Sequence, residues 1–162
     1  MRTSPWMALW VLPVSAVLAC GSNGEATAPD DGSPPASLAG GGKGLVAFYS
    51  DRDGNPEIYL MKADGSDPIR LTRSPSYDVA PALSPDGSRI AFLTDRDDPS
   101  GSFQDRKWEI YVMGADGSSV TRITRNGVGE DHLAWSPDGT RISFNADYDG
   151  DGFQEIWIMN AD

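Results

Sequence analysis

The strongest indication of the fold is the stretch EIYVMGADGS, residues 109–118. Its first half is rich in the β-branched and aromatic residues that favour strands, and an Asp-Gly pair, a strong signal for a hairpin turn, follows. A closely similar stretch, EIYLMKADGS, occupies residues 57–66, and EIWIMNAD occupies residues 155–162. The recurrence of one strand-and-turn pattern predicts a chain built from repeated β-hairpins.

The similarity between the copies extends well beyond these hairpins. When residues 58–92 are aligned with residues 110–144, 18 of the 35 positions are identical. The turn sequence Ser-Pro-Asp-Gly occurs at residues 84–87 and again at 136–139. Repeats of this size that contain several short strands are typical of stacked blades. Each copy is interpreted as four strands: PALS or LAWS, then RIAFLT or RISFN, then EIYVMGA or EIWIMNA, and finally IRLTR or VTRITR.

The pattern P-A-x-S-P-D-G-x-R-I-A-F, followed by D-R-D, E-I-Y-V-M, A-D-G and R-x-T, resembles the TolB-type, WD-like β-propeller repeat. The resemblance covers residues 44–162 and implies an all-β fold whose blades are sheets of four antiparallel strands. Residues 110–113 are apolar or aromatic at every position, which indicates a strand that is buried on both faces. The fold alone does not define a function, because propellers host many functions.

The number of strands predicts an open arc of about three incomplete blades. The first copy has no clear first strand, and the third copy has no fourth strand. Residues 44–162 are also too few for the four blades of about 40–45 residues that the smallest closed propeller requires. Two explanations stay open: the chain is a fragment of a larger propeller, or two arcs associate through their open blade edges into a six-bladed ring.

Residues 1–19 are predicted to be a signal peptide. Arg2 precedes an apolar run that is shorter than the roughly 20 residues of a membrane-spanning helix, and Ala19 precedes Cys20, the single cysteine. The sequence AVLAC, followed by Gly21, resembles the bacterial lipoprotein signal. That resemblance implies a lipidated Cys20 and retention at the outer membrane, facing the periplasm. The alternative is an ordinary secretory signal that ends near a cysteine.

The segment that begins with the lipidated cysteine, residues 20–43, is predicted to be a flexible tether. It consists mainly of Gly, Ser, Ala, Pro and acidic residues, and such a composition cannot bury enough surface to fold. The net charge of the whole chain is −11, which argues against a nucleic-acid partner because the phosphates would be repelled.

The segment DYDGDGFQE, residues 147–155, is the sharpest candidate for a binding site. Carboxylates that alternate around a tight turn can direct their oxygens to Ca²⁺, which prefers oxygen ligands. The segment also resembles the calcium-binding hairpin loops in the propeller blades of integrin α-chains. The alternative is an ordinary solvated hairpin, like the shorter DRDGNPE at residues 51–57. The candidate calcium ligands are Asp147, Asp149, Asp151 and Glu155.

No catalytic residues are predicted. The sequence lacks a Gly-x-Ser-x-Gly nucleophile motif, a Cys/His metal cluster and a phosphate-binding glycine loop, and its one histidine, His132, is expected in a loop. The leading hypothesis is a non-enzymatic envelope lipoprotein that binds an envelope protein or a cell-wall component. The alternative is the N-terminal propeller portion of a hydrolase or polysaccharide lyase, whose catalytic residues would lie beyond Asp162.

Overall fold

The computed structural model describes residues 44–98 and 107–162, and every regular element within these two ranges is a β-strand. The predicted signal peptide (1–19) and the predicted lipidation site Cys20 with its predicted tether (20–43) lie outside the described residues. Between Gly44 and Asp162, these ranges contain no helix long and apolar enough to cross a membrane. The strands of the two ranges are β1 (Leu45–Ser50), β2 (Glu57–Lys62), β3 (Ile69–Arg70), β4 (Asp78–Leu83), β5 (Arg89–Thr94), β6 (Glu109–Gly114), β7 (Thr121–Arg122), β8 (Asp131–Trp135), β9 (Arg141–Ala146) and β10 (Glu155–Asn160).

The strands form three antiparallel sheets that follow one another along the chain. Sheet 1 has the order β1-β2-β3, sheet 2 the order β4-β5-β6-β7, and sheet 3 the order β10-β9-β8. Sheet 2 is therefore a complete four-stranded blade. Within the described ranges, sheet 1 lacks the first strand of a blade and sheet 3 lacks the fourth. The all-β fold and the partial, open propeller, both predicted from the sequence, are confirmed, with the middle blade complete.

Sheet 2 is buried on both faces, because it lies between the other two sheets. The side chains of Tyr111 and Met113 pack in one apolar cluster with Ile58 of sheet 1. On the opposite face of the same strand, Ile110 packs in a second cluster with Phe144 of sheet 3. The apolar residues at alternate positions of β6 therefore form two separate inter-sheet contacts, as the sequence predicts for a blade between neighbours.

The Ser-Pro-Asp-Gly turns connect the first and second strands of sheets 2 and 3. In sheet 3 the hydroxyl of Ser136 donates to the carboxylate of Asp138, at 2.6 Å, and the backbone N–H of Thr140 donates to the same oxygen. These hydrogen bonds lower the pKa of Asp138 to about 2. Gly139 closes the turn with a φ of +70°, which a residue with a side chain rarely adopts. Asp86 holds the equivalent turn of sheet 2 in the same way.

The first strands of the second and third copies are longer than predicted, because a β-bulge interrupts each of them. Strands β4 and β8 begin at Asp78 and Asp131, before the predicted starts at Pro81 and Leu133. In both strands one extra residue, in the left-handed conformation, shifts the pairing register. In β8 this residue is His132, with a φ of +54°. The expectation that His132 lies in a loop is therefore wrong.

Candidate functional site

The loop between β9 and β10 brings three of the four predicted calcium ligands together. The carboxylates of Asp147, Asp149 and Asp151 offer oxygen atoms that all lie within 4.8 Å of one another. Asp147 also shapes the loop, since its two oxygens accept hydrogen bonds from the backbone N–H groups of Gly150 and Gly152, at 2.7 and 2.9 Å. The alternating acidic pattern thus folds into a compact, exposed group of oxygen donors.

Glu155, the fourth predicted ligand, is not part of this group. It is the first residue of β10 and pairs with Ala146 across the hairpin. Its Oε2 atom is buried and has no hydrogen-bond partner among the described residues. The same atom of Glu109, in the complete sheet 2, is likewise buried without a hydrogen-bond partner among the described residues, so this feature is not specific to sheet 3.

The equivalent glutamate of sheet 1 shows what normally surrounds this position. Glu57 is fully buried, and its carboxylate accepts hydrogen bonds from Arg70 Nη2 at 2.9 Å and from Thr72 Oγ1 at 2.5 Å. Thr72 Oγ1 in turn accepts the backbone N–H of Ile58, at 2.9 Å. Both partners come from the fourth-strand segment, in which Arg and Thr are two residues apart. An arginine of the fourth-strand segment thereby neutralises the glutamate of the third strand, and a threonine of the same segment donates a hydrogen bond to it.

Sheet 2 repeats most of this arrangement. Arg122 Nη2 lies 2.9 Å from Glu109 Oε1, and Thr124 Oγ1 accepts the N–H of Ile110 at 2.8 Å. The hydroxyl of Thr124 donates to Glu130, at 3.0 Å, rather than to Glu109. The carboxylate of Glu130 is buried, and this burial raises its pKa. The pair of a third-strand glutamate and a fourth-strand arginine is therefore a repeated element of the blades.

In sheet 3 the glutamate is present but these partners are not. Within residues 107–162, β10 has β9 on one side and no strand on the other. Sequence reasoning assigned Glu155 to the acidic loop and missed this correspondence. The signal was available, because Glu155 opens EIWIM as Glu57 and Glu109 open EIYLM and EIYVM.

The face of sheet 3 that points away from sheet 2 exposes two isoleucines of β10, beside the polar residues Ser143 and Asn145 of β9. Ile110 and Val112 of β6 are 0% and 6% exposed, because sheet 3 covers them. The equivalent residues of β10, Ile156 and Ile158, are 77% and 63% exposed. Positions that are core in sheet 2 thus form a surface in sheet 3, and exposed apolar patches of this kind mark interaction sites.

The structure consists of antiparallel sheets that each come from one repeat of up to four strands and that pack face to face with their neighbours. This arrangement defines a partial β-propeller. Its turns and its third-strand motif are those of the TolB type, and the comparisons with known proteins agree.

Curated relatives are TolB proteins that are much longer than this chain. The chain is 32% identical over 117 residues to the protein TolB homolog of Chlorobaculum tepidum, an alignment that covers 72% of this chain and 24% of that protein. It is 34% identical over 118 residues to the Tol-Pal system protein TolB of Desulfosudis oleivorans, with the same two coverages. The chain therefore spans about a quarter of the length of these relatives. No family model matches it.

Solved structures show the same fold. The putative TolB of Agrobacterium tumefaciens is similar with a TM-score of 0.60 and 29% identity, over 72% of this chain and 42% of that one. A chain of the nidogen/laminin complex reaches a TM-score of 0.56 at 15% identity, over 74% of this chain and 41% of that one, and shares the fold alone. The described residues are thus part of a TolB-type β-propeller.

Proposed function

We propose that this chain is a non-enzymatic binding module of the bacterial cell envelope, which recognises an envelope protein or a cell-wall component. The observation that carries the proposal is the pair of exposed isoleucines on β10, Ile156 and Ile158, whose equivalents in sheet 2 are buried. The similarity to TolB proteins, one of which is named for the Tol-Pal system, supports an envelope location. The hydrolase or lyase alternative stays a prediction about residues beyond Asp162.

The binding test places a photocrosslinking amino acid at position 156 of the full chain and irradiates intact cells. We expect a crosslink to a defined envelope component at position 156. Ser118, which is exposed on a turn, is the matched control position and should give none. Equal crosslinking at both positions, or none at position 156 in a folded protein, would contradict the proposal.

Lipidation of Cys20 would hold this module at the outer membrane, facing the periplasm, with residues 20–43 as a tether. The lipoprotein-like sequence AVLAC supports this location. Labelling cells with an alkyne fatty acid should modify the full chain, and the Cys20→Ser variant should lose both the label and its sedimentation with membranes. A labelled Cys20→Ser variant would refute the anchor at this residue.

A second copy of the chain is the alternative occupant of the open face. Ile90 and Phe92 lie on the face of sheet 2 that packs against sheet 1. The residues at the same repeat positions of sheet 1 are Val46 and Phe48, which lie on its outer face. Sheet 1 of one copy could therefore cover sheet 3 of another. Sedimentation velocity of the full-length Cys20→Ser protein distinguishes the two cases, because self-association gives a defined oligomer that an Ile156→Asp substitution dissociates.

Calcium binding by the loop between β9 and β10 is part of the proposal, supported by the convergence of Asp147, Asp149 and Asp151. Millimolar Ca²⁺ should raise the melting temperature more than Mg²⁺ does, since Mg²⁺ demands a stricter octahedral shell. Asp149→Asn is the variant of choice, because Asp147 also holds the turn. An unchanged melting temperature in Ca²⁺, or an equal shift in the Asp149→Asn variant, would reject the metal site.

A further inference from the structure

A buried carboxylate stands at the start of the first strand at both of the described inter-sheet junctions. The backbone N–H of Asp78 donates to the carbonyl of Pro56, just before β2, at 2.9 Å. The backbone N–H of Glu130 donates in the same way to the carbonyl of Trp108, just before β6, at 3.0 Å. Both carboxylate residues are buried, so each charge needs compensation from the protein rather than from water.

At the junction of sheets 1 and 2 an arginine supplies that compensation. Arg96 Nη2 donates to both carboxylate oxygens of Asp78, at 3.0 and 3.1 Å. Two rings hold the guanidinium, which lies 5.6 Å from the centroid of Phe92 and 4.6 Å from that of Tyr111. Asp78 is thus buried but paired with a cation.

At the junction of sheets 2 and 3 a tyrosine occupies the position of that arginine. When the alignment of residues 58–92 with 110–144 is extended by four residues, Tyr148 stands opposite Arg96. Its ring packs against Phe144 and Trp157, with centroid separations of 6.3 and 4.9 Å. Its hydroxyl donates to Glu130 Oε1, at 3.0 Å. The second junction therefore has a neutral donor where the first has a cation.

The other donors to Glu130 are also uncharged. Asn126 Nδ2 donates to Oε1 at 2.6 Å, and Thr124 Oγ1 lies 3.0 Å from Oε2. The nearest buried neighbour of like charge is Glu109, at the start of β6. The Glu130 carboxylate is therefore surrounded by neutral groups and by a second acid.

The charged residues nearby do not replace the missing arginine. Arg122 is shared between two other carboxylates, with Nη2 at 2.9 Å from Glu109 and Nη1 at 3.1 Å from Asp97. The remaining charged or titratable residues on the surrounding segments are at least partly exposed, so water screens them: Lys107, Arg125, Asp131, His132, Asp147 and Asp149.

We propose that Glu130 holds a proton at pH values at which exposed carboxylates are ionised, and that this proton takes the place of the arginine cation at the other junction. Glu109 keeps its charge because Arg122 neutralises it. A proton on Oε2 of Glu130 would be donated to Thr124 Oγ1, since a hydroxyl oxygen has two lone pairs. The hydroxyl hydrogen of Thr124 is then released for Glu109, as Thr72 donates to Glu57 in sheet 1.

The consequence is a contact between sheets 2 and 3 that depends on pH. Burial raises the pKa of Glu130, and the Glu109 carboxylate raises it further. The native form holds the proton more tightly than the unfolded chain does, so this contribution to stability is present at acidic pH and is lost as pH rises through the native pKa. At Asp78, Arg96 opposes the same effect of burial. This inference goes beyond the proposed binding function and does not depend on it.

The test is a ¹³C NMR titration of the full-length Cys20→Ser protein, labelled at the side-chain carboxyl of glutamate, in buffer with EDTA to exclude calcium. The sequence contains five glutamates, so individual signals can be followed. One signal should titrate above the range of exposed glutamates, which is about 4.3, and Glu130→Gln should remove it.

Tyr148→Arg should weaken proton binding at Glu130 by at least about tenfold, because it restores an opposite charge. Tyr49→Arg, which adds the same charge at an exposed tyrosine of sheet 1, is the matched control and should leave the titration unchanged. Tyr148→Phe should have the opposite effect and strengthen proton binding, because it removes a hydrogen bond to the ionised carboxylate. This variant keeps the ring and serves if Tyr148→Arg does not fold.

A Glu130 signal that titrates with the exposed glutamates would overturn the inference, and so would an unchanged titration in the folded Tyr148 variants. Amide hydrogen exchange tests the mechanical consequence. At alkaline pH, residues 131–135 should exchange more slowly in Glu130→Gln, which imitates the protonated form, than in the Cys20→Ser protein. Equal exchange in the two proteins would show that the proton does not hold sheet 3 against sheet 2.

Discussion

The indole Nε1 of Trp135 in sheet 3 donates a hydrogen bond to the carbonyl oxygen of Ala82 in sheet 2, 2.8 Å away. The guanidinium of Arg89, also in sheet 2, lies 4.7 Å from the centroid of the Trp135 side chain. Arg89 Nη2 further donates to the carbonyl of Gly139, in the turn of sheet 3, at 2.6 Å. These polar contacts fix the position of one sheet relative to the next, a property that apolar packing alone specifies less strictly.

Replacing Trp135 by phenylalanine should lower the free energy of unfolding by about 1–2 kcal/mol, because the hydrogen bond to Ala82 is lost and ring area is removed. The measurement is the urea midpoint of the full-length Cys20→Ser protein. Tyr49→Phe, at an exposed tyrosine of sheet 1, is the control and should change the midpoint little. Equal midpoints for the Trp135→Phe and unsubstituted proteins would show that the contact does not stabilise the inter-sheet interface.

The same substitution at two equivalent positions should have very different costs. Ile110→Ala removes a fully buried side chain between sheets 2 and 3 and should lower the free energy of unfolding by about 2–5 kcal/mol. Ile156→Ala, at the matching position of the uncovered strand, should change it by no more than about 0.5 kcal/mol. Urea unfolding of both variants checks this pair. A large loss from Ile156→Ala would mean that its face is covered in solution.

The arginine that pairs with a buried glutamate should be essential to sheet 1. Arg70→Ala leaves the fully buried Glu57 carboxylate without its cation, and we expect a loss of about 2–4 kcal/mol in unfolding free energy. Arg73→Ala removes an exposed arginine nearby and should cost less than about 0.5 kcal/mol. Thermal and urea unfolding of the two variants provide the comparison, and similar stabilities would refute the role of the pair.

Stability should be greatest at mildly acidic pH. Burial raises the pKa of Glu130 and of Asp78, so their native forms hold protons more tightly and their contributions increase as pH falls from neutral toward about 5. Hydrogen bonds from turn residues lower the pKa of Asp138 to about 2, so its contribution is lost as pH falls below about 4. Urea midpoints measured across this range should therefore pass through a maximum.

The variant Glu130→Gln tests the rising part of that profile, because it cannot titrate. Its stability should change less between about pH 7 and pH 5 than that of the unsubstituted protein. An identical slope in both proteins would exclude Glu130 as a source of the effect.

At the alkaline end, burial and a hydrogen bond to Asp97 raise the pKa of Tyr111 to about 12, so stability should fall as pH rises through about 10 to 12.

The order of strands and the open arc could be predicted because the relevant signals are local and repeated. Residues 110–113 are apolar at every position, which only a strand covered on both faces explains, and Asp-Gly turns separate the strands. The bulges at Ala80 and His132 were not predictable in this way, since a left-handed residue that is not glycine leaves no pattern in one sequence. The place of Glu155 at the start of a third strand was readable from its repeat, but the pairing of Glu57 and Glu109 with fourth-strand arginines needed the structure, because it depends on side-chain contacts between strands.

Sheets 1 and 2 are each covered on their isoleucine face by the sheet that follows in the sequence. Because synthesis starts at the N-terminus, each of these isoleucine faces is made before the sheet that will pack against it. At 5–20 residues per second, the roughly 50 residues of the next repeat take about 3–10 seconds to appear. During that interval Ile110 is as exposed as Ile156 is among the described residues, and a chaperone that binds extended apolar segments would meet each blade in turn.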